Sequence, residues 1–169
     1  KELAVIPGKI KSILRGHKAI GEIAAKYVGA KNVLYIGREY NYAVALEGAL
    51  KLKEISYVHA EGFAAGELKH GSIALIDEET PTVVIAPKNE LQEKMVSNIQ
   101  EIKARGGPIV AVGTTGDRNI KKIADDVMAI PATLPELEPL LSVVPLQLFA
   151  YYSAVLRGPP RRGRSSPRR

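Results

Sequence analysis

The sequence predicts an α/β fold, a parallel sheet with helices on both of its faces. Three observations carry that expectation. Short apolar runs, NVLYI at 32–36, TVVIA at 82–86, IVAV at 109–112 and VMAI at 127–130, alternate with stretches of helical spacing. Beyond Asn32 and Thr82, which open two of them, the runs are apolar, as in strands buried on two sides. Finally, 169 residues with 46% hydrophobic content suit one domain with a sizeable core.

Residues 9–14 and 18–27 read as two helices broken near Arg15-Gly16, with Ile10, Ile13, Leu14, Ile20, Ile23, Ala24 and Tyr27 at helical spacing. His17, in the break, reads as a surface residue, and Gly29 closes the second helix. The strand at 32–36 ends in the loop Gly37-Arg38-Glu39-Tyr40-Asn41, which fits either a phosphate cradle or a tight strand-to-helix turn. It lacks G-x-G-x-x-G, which argues against a dinucleotide. The segment 57–70 shows little strand signal, is punctuated by Gly62 and Gly66, and has room for a short helix.

Strand 82–86 lies between prolines. Asn89 is placed to cap a helix running to Arg105, with Leu91, Met95, Ile99 and Ile102 on one face, and Gly106-Gly107 stops it. After strand 109–112, the loop 113–117 has room for an anion but fits a simple turn better, and a helix at 119–124 precedes strand 127–130. Pro131, Pro135 and Pro139 predict a rigid linker. A long apolar helix near 140–156, kinked or delayed by Pro145, is expected to be buried in this domain or against a partner. In such a fold, ligands bind at the carboxyl ends of the strands, where the Gly37 and Gly113 loops lie.

The stretch that carries chemistry is LEGALKLKEISYVHAEGFAAGELKHG, residues 46–71. Its first half is rich in Ala, Leu, Lys and Glu, all strong helix formers. Glu47, Lys51 and Glu54 stand at i, i+4 and i+7, within an arc of about 60°. His70 follows beyond a turn-like connection. Two carboxylates, an ammonium and an imidazole are the parts needed to move protons on a sugar. The same spacing also fits a solvated ion-pair face, worth ~0.2–0.5 kcal/mol per pair. Against that, the helix is otherwise apolar, so its charged stripe is expected to face something specific.

Other classes are disfavoured. His59, Glu61, Glu67 and His70 do not have an established metal-ligand spacing, and no cofactor is implied. There is no cysteine, which fits a reducing cytosol. No apolar run approaches the roughly 20 residues of a membrane span. The opening KELAVIPGKI has no signal-peptide core, so a cytoplasmic location is expected. Without the five arginines of the last twelve residues, the formal charge falls from +6 to +1. The body therefore has no nucleic-acid footprint, and the Pro/Arg/Ser tail at 159–169 is expected to be disordered, outside a domain at 1–158.

ALEGALKLKEISYVHAEGFAAGELKHGSIALID, with GREYNYAVALEGALKLKEI, VIAPKNELQEKMVSNIQEIKARGG and VVPLQLFAYYSAVLRG, resembles the second sugar-isomerase (SIS) subdomain of the glucosamine-6-phosphate synthase family. The resemblance covers residues 7–158 and implies a flavodoxin-like three-layer sandwich. It also implies a part in converting fructose 6-phosphate to glucosamine 6-phosphate. Glu54 would transfer the proton between C1 and C2, and His70, from the neighbouring subunit of a homodimer, would assist ring opening. Lys51 and Glu47 match two further active-site positions.

The family's S-x-S-x-x-T phosphate loop, which belongs to the first SIS subdomain, is absent here, as are the glutaminase cysteine and the C-terminal lysine that forms an imine with the sugar. The expected picture is an isomerase subdomain that lacks the first SIS subdomain and the glutaminase domain and is inactive alone. The alternative is a phosphosugar-binding regulatory module without catalysis.

Overall fold

Alternate strand residues serve two different cores. In the computed structural model, which describes residues 1–158, Val33, Tyr35, Val83, Ile85, Val110, Val112, Met128 and Ile130 pack beneath one layer of helices. Leu34, Ile36, Val84, Ile109 and Ala111 pack beneath the other. The strands are β1 (Asn32–Gly37), β2 (His59–Ala64), β3 (Thr82–Ile85), β4 (Ile109–Thr114) and β5 (Asp126–Ile130). They form one parallel sheet in the order β2-β1-β3-β4-β5. The helices α1 (Glu2–Arg15), α2 (His17–Lys26), α3 (Tyr40–Ser56) and α6 (Glu138–Arg157) cover the first face. The second is covered by α4 (Gln92–Lys103) and α5 (Arg118–Ile123) with the short 3-10 turns Ala65–His70 and Ser72–Leu75. This is the expected α/β sandwich. The tail at 159–169 lies outside the described residues.

The structure corrects several expectations. The described residues hold five strands, not four, because β2 arises from HAEGFA, a segment without β-branched residues. Pairing with β1 from Asn32↔His59 to Gly37↔Ala64 makes it a strand, tertiary pairing overriding weak propensity. Gly62 is needed there, since a Cβ would lie 2.9 Å from Leu46 Cα on the helix above. The first helix begins at Glu2 and runs through Pro7, and α6 begins at Glu138 and carries Pro145 buried inside it. Asn89 lies before the start of α4 rather than capping it, its side chain accepting a hydrogen bond from Leu91 N–H at 2.9 Å. His17 is not a free surface residue. Its ring stacks on Tyr152, and Nδ1 and Tyr152 Oη share a hydrogen bond between α2 and α6.

The segment Pro135–Arg157 is long and apolar enough to cross a membrane, contrary to the sequence expectation. The fold uses α6 as a core helix instead. Leu141, Leu146, Phe149 and Ala150 are buried against α2, α3 and the sheet. Closest approach to α3 comes at Gly48, where a Cβ would lie 2.7 Å from Leu146 Cδ1 and 2.9 Å from Tyr35 Cε1.

Gly48→Ala sets two effects against each other. Alanine favours the helix by about 1 kcal/mol, while overpacking a rigid contact costs about 1–3 kcal/mol. The ring of fully buried Tyr35 cannot give way freely, so the crowding should win. Urea unfolding should show a net loss of about 1 kcal/mol. A gain would mean that α3 and α6 can part without cost.

Candidate functional site

Two places on this fold hold convergent polar groups, and they lie at opposite ends of α3. The buried face of that helix is Asn41, Val44, Ala45, Gly48, Ala49, Leu52 and Ser56, which turns Glu47, Lys51 and Glu54 outward. Lys51 Nζ donates to Glu54 Oε2 at 2.7 Å and lies 3.7 Å from Glu47 Oε1. The Glu54 carboxylate, with Glu47 beside it, holds the Lys51 ammonium above its ordinary range, so Lys51 is a cation at neutral pH. The three side chains keep 32–48% of their surface exposed. Leu46, Leu50 and Ile55 beside them are also exposed. The expectation that this stripe faces something specific is therefore not met within the single chain.

The structure thus brings Glu47, Lys51 and Glu54 together, as the spacing predicts, but does not add His70 to them. His70 ends the turn Ala65–His70 and is exposed, and among the described residues it has no hydrogen bond or ion pair. His59 and Glu61 lie 3.5 Å apart on the edge strand β2.

The second place is the crevice at the carboxyl ends of β1 and β3. There the connections leave in opposite directions, through α3 on one face and α4 on the other, the switch point where α/β folds bind ligands. A cavity of about 350 Å³ opens there between the loop Arg38–Asn41, the segment 89–91 and the start of α6. Its floor is Glu138, 4% exposed. Asn41 Nδ2 donates to Glu138 Oε2 at 2.9 Å, and Asn89 Nδ2 donates to both carboxylate oxygens at 3.1 and 2.8 Å. Burial pushes the Glu138 carboxyl above the usual range, and the two amide donors pull in the opposite direction.

Sequence reasoning pointed at the Gly37 loop but missed Glu138 and the role of Asn89. An acid opening a long apolar helix was the available signal. The loop itself is strained. Asn41 N–H donates to Arg38 O at 2.9 Å, closing a turn with Glu39 at φ 47° and ψ −123°. That is the first central position of a type II′ turn, where glycine is the comfortable residue. The Gly113 loop is a plain turn, as expected, with the Asp117 carboxylate capping α5 through Asn119 N–H at 2.9 Å.

α3 runs antiparallel to the strands, so Glu54, thirteen residues beyond Asn41, lies about 20 Å along the axis from the crevice. Glu54 and the crevice cannot act on the same small molecule within one chain.

Comparison with known proteins gives a consistent picture. The SIS domain family model matches residues 26–157. Over 158 residues, 94% of this chain, the sequence is 56% identical to the glutamine–fructose-6-phosphate aminotransferase (isomerizing) of Bacteroides thetaiotaomicron. It is 51% identical over 152 residues to the enzyme of the same name from Aquifex aeolicus. The chain spans about a quarter of the length of these relatives, 26% in each case. The C-terminal domain of glucosamine-fructose-6-phosphate aminotransferase from Francisella tularensis superposes with a TM-score of 0.85 at 36% identity, over 92% of this chain and 44% of that one. A tagatose-6-phosphate ketose/aldose isomerase from Escherichia coli, at 18% identity and a TM-score of 0.76 over 90% of this chain and 43% of that one, shares the fold.

Two measurements follow from the crevice. Glu39→Gly should relieve strain of about 1–3 kcal/mol, less about 0.5–1 kcal/mol for glycine's greater freedom when unfolded. A rise of about 1 kcal/mol in urea unfolding at constant m is expected. An unchanged or lower midpoint would contradict the strain. The second concerns pH. Because the folded state binds the Glu138 proton more tightly than the unfolded chain, the contribution of this group is fully present below the ordinary value of 4.5 and is lost as pH rises through the raised native value. Measured against non-titrating Glu138→Gln, wild type should therefore gain relative stability as pH falls toward 4.5. A gap that moves the other way would mean that the two asparagine amides outweigh burial.

Proposed function

From the premise that the chain belongs to the SIS domain family, we propose that it is the proton-moving part of a ketose–aldose isomerase centre. It corresponds to the second SIS subdomain of a glutamine–fructose-6-phosphate aminotransferase. The observation that carries this reading is the Glu47–Lys51–Glu54 cluster, held on the outside of α3, with Glu54 about 20 Å along the axis from the chain's own crevice. A sugar worked on by this cluster must be seated by another domain.

The chemistry follows from the groups. Glu54 takes the proton from C1 of the open-chain ketose and returns it to C2. Charge builds on the neighbouring oxygen meanwhile, and the Lys51 ammonium stabilises it. Glu47 and Glu54 hold Lys51 charged and in place. His70 assists ring opening across a homodimer, where its exposed position at the end of the turn Ala65–His70 is available to a second subunit. The complete enzyme, a cytoplasmic one, converts fructose 6-phosphate to glucosamine 6-phosphate with nitrogen taken from the glutamine amide, which leaves as glutamate, and that nitrogen replaces the C2 oxygen before the proton moves from C1 to C2. The exposed Leu46, Leu50 and Ile55 around the cluster are what a covering domain would dry.

A chimera tests this. Residues 1–158 replace the matching segment of the Bacteroides thetaiotaomicron enzyme, which keeps its own flanking domains and C-terminus. The chimera should form glucosamine 6-phosphate, and the isolated chain should not. Within the chimera, Glu54→Gln should lower kcat by about 10²–10⁴-fold, the usual worth of a positioned acid–base group, with little change in KM. A folded but inactive chimera, or full activity without Glu54, would overturn the proposal. A regulatory module would bind sugar phosphate equally well with and without Glu54 and exchange no proton at C1.

A further inference from the structure

The crevice between β1 and β3 plays no part in the proposed chemistry, yet it is built rather than incidental. We infer that it is a separate ligand site for a small polyhydroxy ammonium ion, of the class of an unphosphorylated amino sugar.

Three observations select that class. The first is unspent hydrogen-bonding capacity. Asn41 is 5% exposed and lines the cavity, and its Oδ1 is a buried acceptor with no partner. Its orientation is set, because Nδ2 is committed to Glu138. Arg38 Nε is a buried donor without a partner, while Nη2 is anchored on Asn98 Oδ1 at 3.2 Å. Asn98 is itself held by donating to Ala65 O at 3.0 Å. A buried polar atom left without a partner is destabilising. A ligand that donates, as ammonium and hydroxyl groups do, would supply the partner that Asn41 Oδ1 lacks.

The second observation is charge. Glu39, Glu90, Glu136 and Glu138 line the cavity against Arg38 alone among the described basic residues. A crevice walled by one sign of charge concentrates ligands of the other. A phosphate dianion is disfavoured here, whereas an ammonium is drawn in.

The third observation concerns size and alternatives. At about 350 Å³ the cavity sits near the lower end of the ~300–1,000 Å³ range of small-molecule pockets. A bare metal ion fits poorly, since both Glu138 oxygens already accept from amide groups, and among the described residues no three acid or histidine side chains are grouped to hold one.

The test uses the full chain and D-glucosamine, with glucose and glucosamine 6-phosphate as controls, followed by calorimetry and by amide shifts in NMR. D-Glucosamine should bind with 1:1 stoichiometry and a Kd of about 1 mM or tighter, shifting the amides of Arg38, Asn41 and Asn89. Both controls should bind at least about tenfold more weakly, a difference of about 1.4 kcal/mol. The rim variant Glu90→Gln/Glu136→Gln changes only exposed side chains, so its fold should hold, and it should weaken D-glucosamine by several-fold. Absence of saturable binding, shifts confined to another surface, equal binding of glucosamine 6-phosphate or glucose, or an indifferent rim variant would each overturn the inference. The chimera reads Glu54, at the other end of α3, so either idea can fail without the other.

Discussion

The close seat of α3 between the sheet and α6 decides where every functional group in this molecule ends up. Gly37, Gly48 and Gly62 each occupy a point where a single added carbon would collide with a neighbour. At Gly37 the obstacle is the backbone of Asn41, at Gly48 the side chains of Leu146 and Tyr35, and at Gly62 the backbone of Leu46. These contacts fix the rotation of α3 about its axis as well as its depth. With residues 41, 44, 45, 48, 49, 52 and 56 facing inward, the i, i+4, i+7 series of Glu47, Lys51 and Glu54 points outward. A spacing that could have been an idle ion-pair ladder thus becomes a compact charged cluster at a fixed place.

The direction of α3 separates two jobs. Its first turn closes the crevice, where Asn41 meets Glu138 across about a hundred residues of sequence, and its middle and last turns carry the lysine and the two glutamates. The crevice is lined mainly by acids and is partly buried, whereas the cluster is open and balanced around one ammonium. On the two proposed readings a phosphosugar suits neither alone, since four acids line the crevice and the cluster holds one ammonium between two carboxylates.

Much of this was legible in the sequence, because the informative features were local. Four of the five strands announce themselves as β-branched runs, and the Glu47–Lys51–Glu54 group follows from helical period alone. What stayed hidden depends on partners distant in sequence. β2 reads as a loop because Ala, Glu and Gly fill it, and it becomes a strand only beside β1. Glu138 reads as one more exposed acid until Asn41 and Asn89 are folded over it. His17 reads as a surface residue until Tyr152 arrives from the far end of the chain. Prolines misled in both directions, since Pro7 and Pro145 interrupt the pattern without ending the helix.

The exposure of the α3 cluster is itself an argument about how it works. Charges on a water-exposed face are screened by the solvent, and covering them lowers the effective dielectric and strengthens their field. On the proposed reading, the stabilisation that Lys51 gives to a developing enediolate depends on what excludes water from it. Leu46, Leu50 and Ile55 form the apolar surround needed for that, yet each is left facing solvent in the single chain. On the proposed reading, covering this face seats the sugar and raises the field of Lys51 in one step. Proton transfer is then weak wherever the sugar is not seated, and an exposed general base does little harm until its substrate is in place.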